Sequence, residues 1–140
     1  MAYSAIIEIP KGSFYKYEIN KEIQALKLDR ILPIPCPFNY GFLPRTLSAD
    51  GDPTDIFIVS DYPIIPLTEV KFETVGILLC EDNGVEDNKI IAFIEGDLTV
   101  YQYDWVRDIK FYLNNYKTGF VIKDYVLLNS NEELKKYLKS

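Results

Sequence analysis

A chain of 140 residues with a formal charge of −6 is long enough for one core, and residues 1–140 are taken as a single domain. It contains no histidine, which excludes Ser-His-Asp triads, Cys-His dyads and histidine-ligated zinc together. No Lys/Arg block offers a phosphate-tracking surface, so no nucleic-acid partner is expected, and no apolar run approaches the roughly 20 residues that span a bilayer.

Eleven Tyr and eight Phe favour half-buried pleated surfaces. Tyr3 to Ile9 reads as a strand ended by Pro10-Lys11-Gly12. Tyr15 to Ile19 and Ala25 to Ile31 alternate in polarity and are expected to pair through the Asn20–Gln24 turn. A proline-rich loop follows, with Pro33, Pro35 and Pro37, and runs into Asn39-Tyr40-Gly41. Ile56 to Val59 is a short apolar strand. Val70 to Cys80 and Lys89 to Ile94 flank a turn at Asn83-Gly84, a strong hairpin signal. Trp105, Ile109, Leu113 and Tyr116, with Val106 and Tyr112 beside them, fall at helical spacing, and Asp104 is the expected N-cap. Val121 to Leu128 returns to strand character. Ser130 and Glu133 form a capping box for a last short helix through Leu138. These elements predict an α+β fold: a small closed or nearly closed antiparallel β-barrel, OB-like, with two helices packed outside it.

The N-terminus lacks a basic stretch followed by an apolar one, so no secretory leader is expected. Cys36 and Cys80 lie far apart and outside any metal-binding spacing, which fits free thiols and a cytoplasmic location.

Chemistry concentrates in Asp50-Gly51-Asp52-Pro53-Thr54-Asp55, which runs straight into the apolar strand. Two carboxylates held about 6 Å apart repel by roughly 3 kcal/mol at an effective dielectric near 20. Either solvent relieves that repulsion in an exposed turn, or a hard divalent cation sits among the oxygens. An EF-hand does not fit, because its sixth position requires Gly where Asp55 stands, and a strand follows. Asp82-Asn83-Gly84-Val85-Glu86-Asp87 is a second acidic turn, an ordinary hairpin loop by itself. Both turns abut strand ends and could face each other across a barrel mouth. Lys16, Arg30, Tyr40, Lys89 and the pair Tyr116-Lys117 supply cations and phenols suited to phosphate oxygens.

Ile7-Glu8-Ile9-Pro10, Lys16-Tyr17-Glu18, Asp29-Arg30, Asn39-Tyr40-Gly41 and the Asp50 to Asp55 segment resemble the soluble family I inorganic pyrophosphatases. Val75-Gly76, Asp82, Asp87, Lys89 and Tyr116-Lys117 continue the resemblance in the same order. The resemblance implies Mg²⁺-dependent hydrolysis of pyrophosphate to two phosphates, with several cations per site and Mn²⁺ as a possible substitute. It implies that Asp50, Asp55 and Asp87 hold the tightest metal, that Asp82 with Asp87 holds a further one, and that Glu8 and Glu18 hold metal-bound waters. Lys16, Arg30, Tyr40, Lys89, Tyr116 and Lys117 match groups that grip the phosphoryl units, with Tyr40, Arg30 and Lys16 counted among the catalytic set. Asp52 matches the acid beside the attacking water, which leaves it free to act as general base in an in-line displacement. Bacterial members often form hexamers, so a homo-oligomer is expected, of a size the sequence leaves open.

Three positions depart from the pattern. Cys36 stands where the family usually has a Tyr at the edge of the site, Asn83 replaces a common acid beside Asp82, and the stretch from Lys89 to Tyr116 is short. Two other function classes stay open: a degenerate relative that binds pyrophosphate or a nucleotide with little or no turnover, and a barrel interaction module without an active site. Retention of every expected metal ligand argues against the first. The absence of a basic face argues against the second.

Overall fold

The computed structural model describes residues 3–44, 53–97 and 104–138. Its strands are β1 (Tyr3–Ile9), β2 (Tyr15–Asn20), β3 (Ala25–Ile31), β4 (Asn39–Phe42), β5 (Asp55–Val59), β6 (Glu69–Asp82), β7 (Val85–Glu86), β8 (Lys89–Ile94) and β9 (Phe120–Leu127). Two short α-helices accompany them, α1 (Trp105–Tyr116) and α2 (Asn131–Leu134), the latter running into a 3₁₀ turn at Lys135–Tyr137.

Hydrogen bonds pass from β1 to β4, β5, β8, β6 and back to β1, so five strands close a ring. The sequence predicted an antiparallel barrel, and four of the five joints are antiparallel, but β5 and β8 are parallel. Closure requires this. Directions cannot alternate all the way round a ring of five, so at least one neighbouring pair must run the same way. The 14-residue β6 serves two jobs along its length: its first part pairs with β1, and its second with β9. Strands β2 and β3 form a separate hairpin, paired from Tyr15↔Ile31 to Asn20↔Ala25 as the alternation predicted.

Strand β4 was expected to be loop. Its pairing depends on Gly41, because a Cβ there would collide with the Ile6 carbonyl of β1. Asn39, fully buried, secures the strand's start: its Oδ1 accepts from the Lys11 and Ile64 N–H groups at 2.9 and 2.8 Å, and its Nδ2 donates to Ser60 Oγ at 2.7 Å. The Asn-Gly turn is as expected, with positive φ at both Asn83 (50°) and Gly84 (85°), the pattern of a tight hairpin.

Strands β5 and β8 are buried on both faces, so alternate side chains enter two clusters. Phe57, Val59 and Ile91 join Ile109, Tyr112 and Leu113 of α1. Ile56, Ile58, Ile90 and Ala92 join Leu134 of α2. Helix α1 begins as predicted, with the Asp104 side chain accepting from the Arg107 N–H. The capping box at α2 forms only in part. The Ser130 side chain makes no capping bond, while Glu133 accepts from the Asn129 N–H at 3.0 Å. Among the described residues no helix is long and apolar enough to cross a membrane.

Two glycines test this packing. Gly41→Ala sets a methyl against rigid backbone and should lower stability by about 3 kcal/mol or more, whereas Gly76→Ala meets the Tyr125 ring, which can swing aside at a cost of about 1–3 kcal/mol. Thermal melts of the two variants should differ in that order; equal losses would contradict the close approach of β1 and β4.

Candidate active site

A cavity of about 430 Å³ opens where β1, β2, β3, β4, β5, the end of β6, the start of β8 and the end of α1 converge. Glu8 of β1, Asp55 at the start of β5, Asp82 at the end of β6, and Asp87 supply its acids. Lys16, Arg30, Lys89 and Lys117 supply its bases, and Tyr40 and Tyr116 its phenols. Every predicted site residue among those described lines this cavity except Glu18, which faces Lys27 across the β2–β3 hairpin at 3.6 Å. Asp50 and Asp52 lie outside the described residues.

Lys89 is the cavity's floor. Parallel pairing places it in register with Asp55, and its buried ammonium donates to Asp55 Oδ2 at 2.5 Å, Asp87 Oδ2 at 3.1 Å and Tyr40 Oη at 2.9 Å. Burial pulls its pKa down, but Asp55 and Asp87 outweigh that and hold it above the usual lysine value. Asp87 is aimed by a break in the ladder: its N–H donates to the Cys80 carbonyl, while the Asn88 side chain accepts from the Cys80 N–H. Burial, then the neighbouring Asp55, push the Tyr40 phenol well above its ordinary pKa, so it stays protonated.

The rim is looser. Lys16 stands 3.7 Å from Asp29 and 4.0 Å from Glu8. The Arg30 guanidinium donates to Tyr116 Oη at 3.2 Å, and Lys117 lies 2.5 Å from Asp82. Burial raises the Glu8 carboxyl to about 7, against the opposing pull of Lys16 and with further upward pressure from Asp55, Asp29 and Glu18.

Two placements depart from expectation. Cys36 is fully buried and absent from the cavity wall; its Sγ donates to the Phe38 carbonyl at 2.9 Å. Tyr112, passed over as a site residue, lines the cavity. The signal for Tyr112 was present in its helical spacing from Tyr116, but the same spacing describes any core aromatic.

A profile of the inorganic pyrophosphatase family matches residues 5–137. The chain belongs to that family. The inorganic pyrophosphatase of Thermus thermophilus is 42% identical over 106 residues, covering 74% of this chain and 59% of that one. That of Nanoarchaeum equitans is 46% identical over 94 residues, covering 66% and 58%. The chain thus spans about three-fifths of the length of these two relatives. The crystal structure of an inorganic pyrophosphatase from Neisseria gonorrhoeae superposes with a TM-score of 0.81 at 30% identity, covering 97% of this chain and 86% of the other.

The donor set of the cavity decides whether it fits a divalent cation. Its acids are all carboxylates, the oxygen donors that Mg²⁺ and Mn²⁺ prefer. Among the described residues no three of them form a ready-made ligand cluster, and Asp55 and Asp87 both engage Lys89. The donors fit by type, and a cation would have to share Asp55 and Asp87 with the ammonium.

Glu8 provides a pH test in metal-free protein. A carboxyl whose folded pKa is about 7, against an ordinary 4.5, favours the folded state when protonated, so its contribution fades as pH rises through that window. With chelator present, Glu8→Gln should gain on the parent by on the order of 1–3 kcal/mol between pH 4.5 and pH 8. Denaturant melts at the two pH values check this, and a constant gap would remove the burial effect.

Proposed function

We propose that the chain hydrolyses inorganic pyrophosphate to two orthophosphates, by in-line attack of water, with divalent cations held on its carboxylates. The observation that supports this best is the charge balance of the cavity. Four acidic and four basic side chains line it, and Lys16, Lys89 and Lys117 each already face an acid. Such a wall has little net attraction for a polyanion until its acids acquire another positive partner.

Asp55 and Asp87, with Asp50, would hold the first cation, and Asp82 with Asp87 a further one; Mg²⁺ suits the donors and Mn²⁺ can replace it. Bound there, the cations would neutralise the polyanion and ease the loss of a proton from water. The remaining work belongs to the side chains. Lys16, Arg30, Lys89 and Lys117 grip phosphoryl oxygens, and Tyr40 and Tyr116 donate hydrogen bonds to them. Asp52 accepts the proton of the attacking water. The departing phosphate leaves against the basic side, where added negative charge is stabilised.

We also propose a cytoplasmic homo-oligomer. The buried thiols of Cys36 and Cys80 are free, as a reducing compartment allows. The β2–β3 hairpin turns Lys16 and Arg30 toward the cavity and exposes Ile19, Leu26, Leu28 and Ile31 on its other face, an apolar strip that a second copy can cover.

Phosphate release from pyrophosphate, measured with Mg²⁺ and with chelator, tests the reading directly. Rapid release that requires the metal is expected; binding of pyrophosphate and Mg²⁺ without release would make the chain a binding protein. Asp52→Asn should slow turnover about 10²–10⁴-fold and alter the pH profile while the first metal still binds. Asp55→Asn should lose metal affinity and turnover together. An unchanged pH profile in the first variant, or normal metal titration in the second, would reassign those residues.

A further inference from the structure

The strands that lead to the cavity floor are joined across a gap. Glu81↔Glu86 of the β6–β7 pairing and Leu78↔Lys89 of the β6–β8 pairing keep one register, which sets Cys80 opposite Asp87. In an unbroken antiparallel ladder such a pair exchanges both of its N–H···O=C bonds. Asp87 does donate to the Cys80 carbonyl, at 2.9 Å. The return bond runs elsewhere: the Cys80 N–H donates at 3.0 Å to Oδ1 of Asn88, a side chain in place of a carbonyl. On the other edge of β6 the pairing with β9 shifts register between Leu79 and Cys80. Regular pairing is thus interrupted on both sides of β6 at the point where Asn88 ties in.

Asn88 also stands between two residues of the floor, Asp87 and Lys89, whose carboxylate and ammonium lie 3.1 Å apart. Lys89 is held by strand pairing on both sides, to Asp55 and to Leu78. Asp87 and Asn88 fall between β7 and β8 and belong to neither strand. Asn88 is 9% exposed and Cys80 1%, so water has little access to replace the bond between them. The spacing it protects matters, because Asp55 and Asp87 already converge on one positive centre, 2.5 and 3.1 Å from Lys89 Nζ. Like charges that close repel, and a looser segment would let them part.

We propose that Asn88 is a positioning residue for a divalent cation: its side chain ties the Asp87–Lys89 stretch to β6 and so holds the Asp87 carboxylate at its spacing from Asp55. This role rests on the metal-assisted function proposed above. Asn88 itself touches neither the cation nor the substrate.

Asn88→Ala removes the tie. Its Kd for Mg²⁺, read by calorimetry without substrate, should rise about threefold to tenfold, the worth of one ordinary hydrogen bond. Mg²⁺ demands near-ideal geometry and Ca²⁺ tolerates irregular sites, so the Kd for Ca²⁺ should stay within about twofold. The ratio of the two affinities therefore shifts toward Ca²⁺. Asn88→Gln places its acceptor one methylene further out, should shift the ratio the same way, and serves if Asn88→Ala folds poorly. Asn88→Asp keeps an acceptor at the original reach. Its added charge acts on both ions, so both affinities change together and the ratio should match the parent's. A merely structural role would lower Tm and leave the ratio alone in every variant. An unchanged ratio in both Asn88→Ala and Asn88→Gln, or a shifted one in Asn88→Asp, overturns the proposal. If the parent binds both ions but releases no phosphate, the hydrolase reading fails while the ratio still decides this one; a parent that binds neither ion overturns both.

Discussion

One buried ammonium organises this molecule. Lys89 can remain charged inside the barrel only because Asp55 and Asp87 meet it there, since a lone desolvated lysine would lose its proton. The meeting follows from topology. A five-membered ring must contain a parallel joint, and here that joint sets the first residue of β5 against the first of β8. Two strand ends that carry opposite charges are thereby held side by side at one mouth of the barrel. The same arrangement keeps the Asp55 and Asp87 carboxylates close together, which their mutual repulsion would otherwise resist.

From that floor outward the cavity loosens. The Lys89 side chain is 6% exposed, Lys16 26% and Lys117 36%. Ion pairs at such a rim contribute little to folding, because water screens them and long side chains lose entropy in holding them. They are correspondingly easy to exchange for another partner. A fixed floor of paired charges with exchangeable basic arms suits the proposed reaction, in which substrate arrives with many negative charges and departs as two separate anions. The aromatic run of Tyr40, Phe57, Tyr112 and Tyr116 joins floor to rim, so the arms are adjustable without being adrift.

Much of this was legible beforehand where the signal was local. Alternation along Tyr15 to Ile19 and Ala25 to Ile31, the Asn83-Gly84 turn and the Asp104 cap each depend on a few neighbouring residues, and each stands in the structure as expected. Strand β4 escaped notice because prolines precede it and Gly41 weakens any strand signal, while its cause, the close passage of β1, is distant in sequence. Glu18 lies outside the cavity lining and faces Lys27 across its own hairpin, a contact set by the local ladder. Cys36 was expected at the site's edge and lies in the core cluster that also holds Tyr112.

By itself the sequence determined which groups were available: carboxylates clustered at two turns, cations and phenols spaced between strands, and no imidazole anywhere. It also determined where chain direction would change, because turns and caps are set by backbone preferences a few residues long. The tertiary structure decided which of those groups meet. Asp55 and Lys89 are neighbours only through a parallel pairing that closure imposes, and Tyr112 faces the cavity only because α1 packs on that side of the ring. Such contacts depend on the whole ring closing at once, and no short window of residues carries that condition.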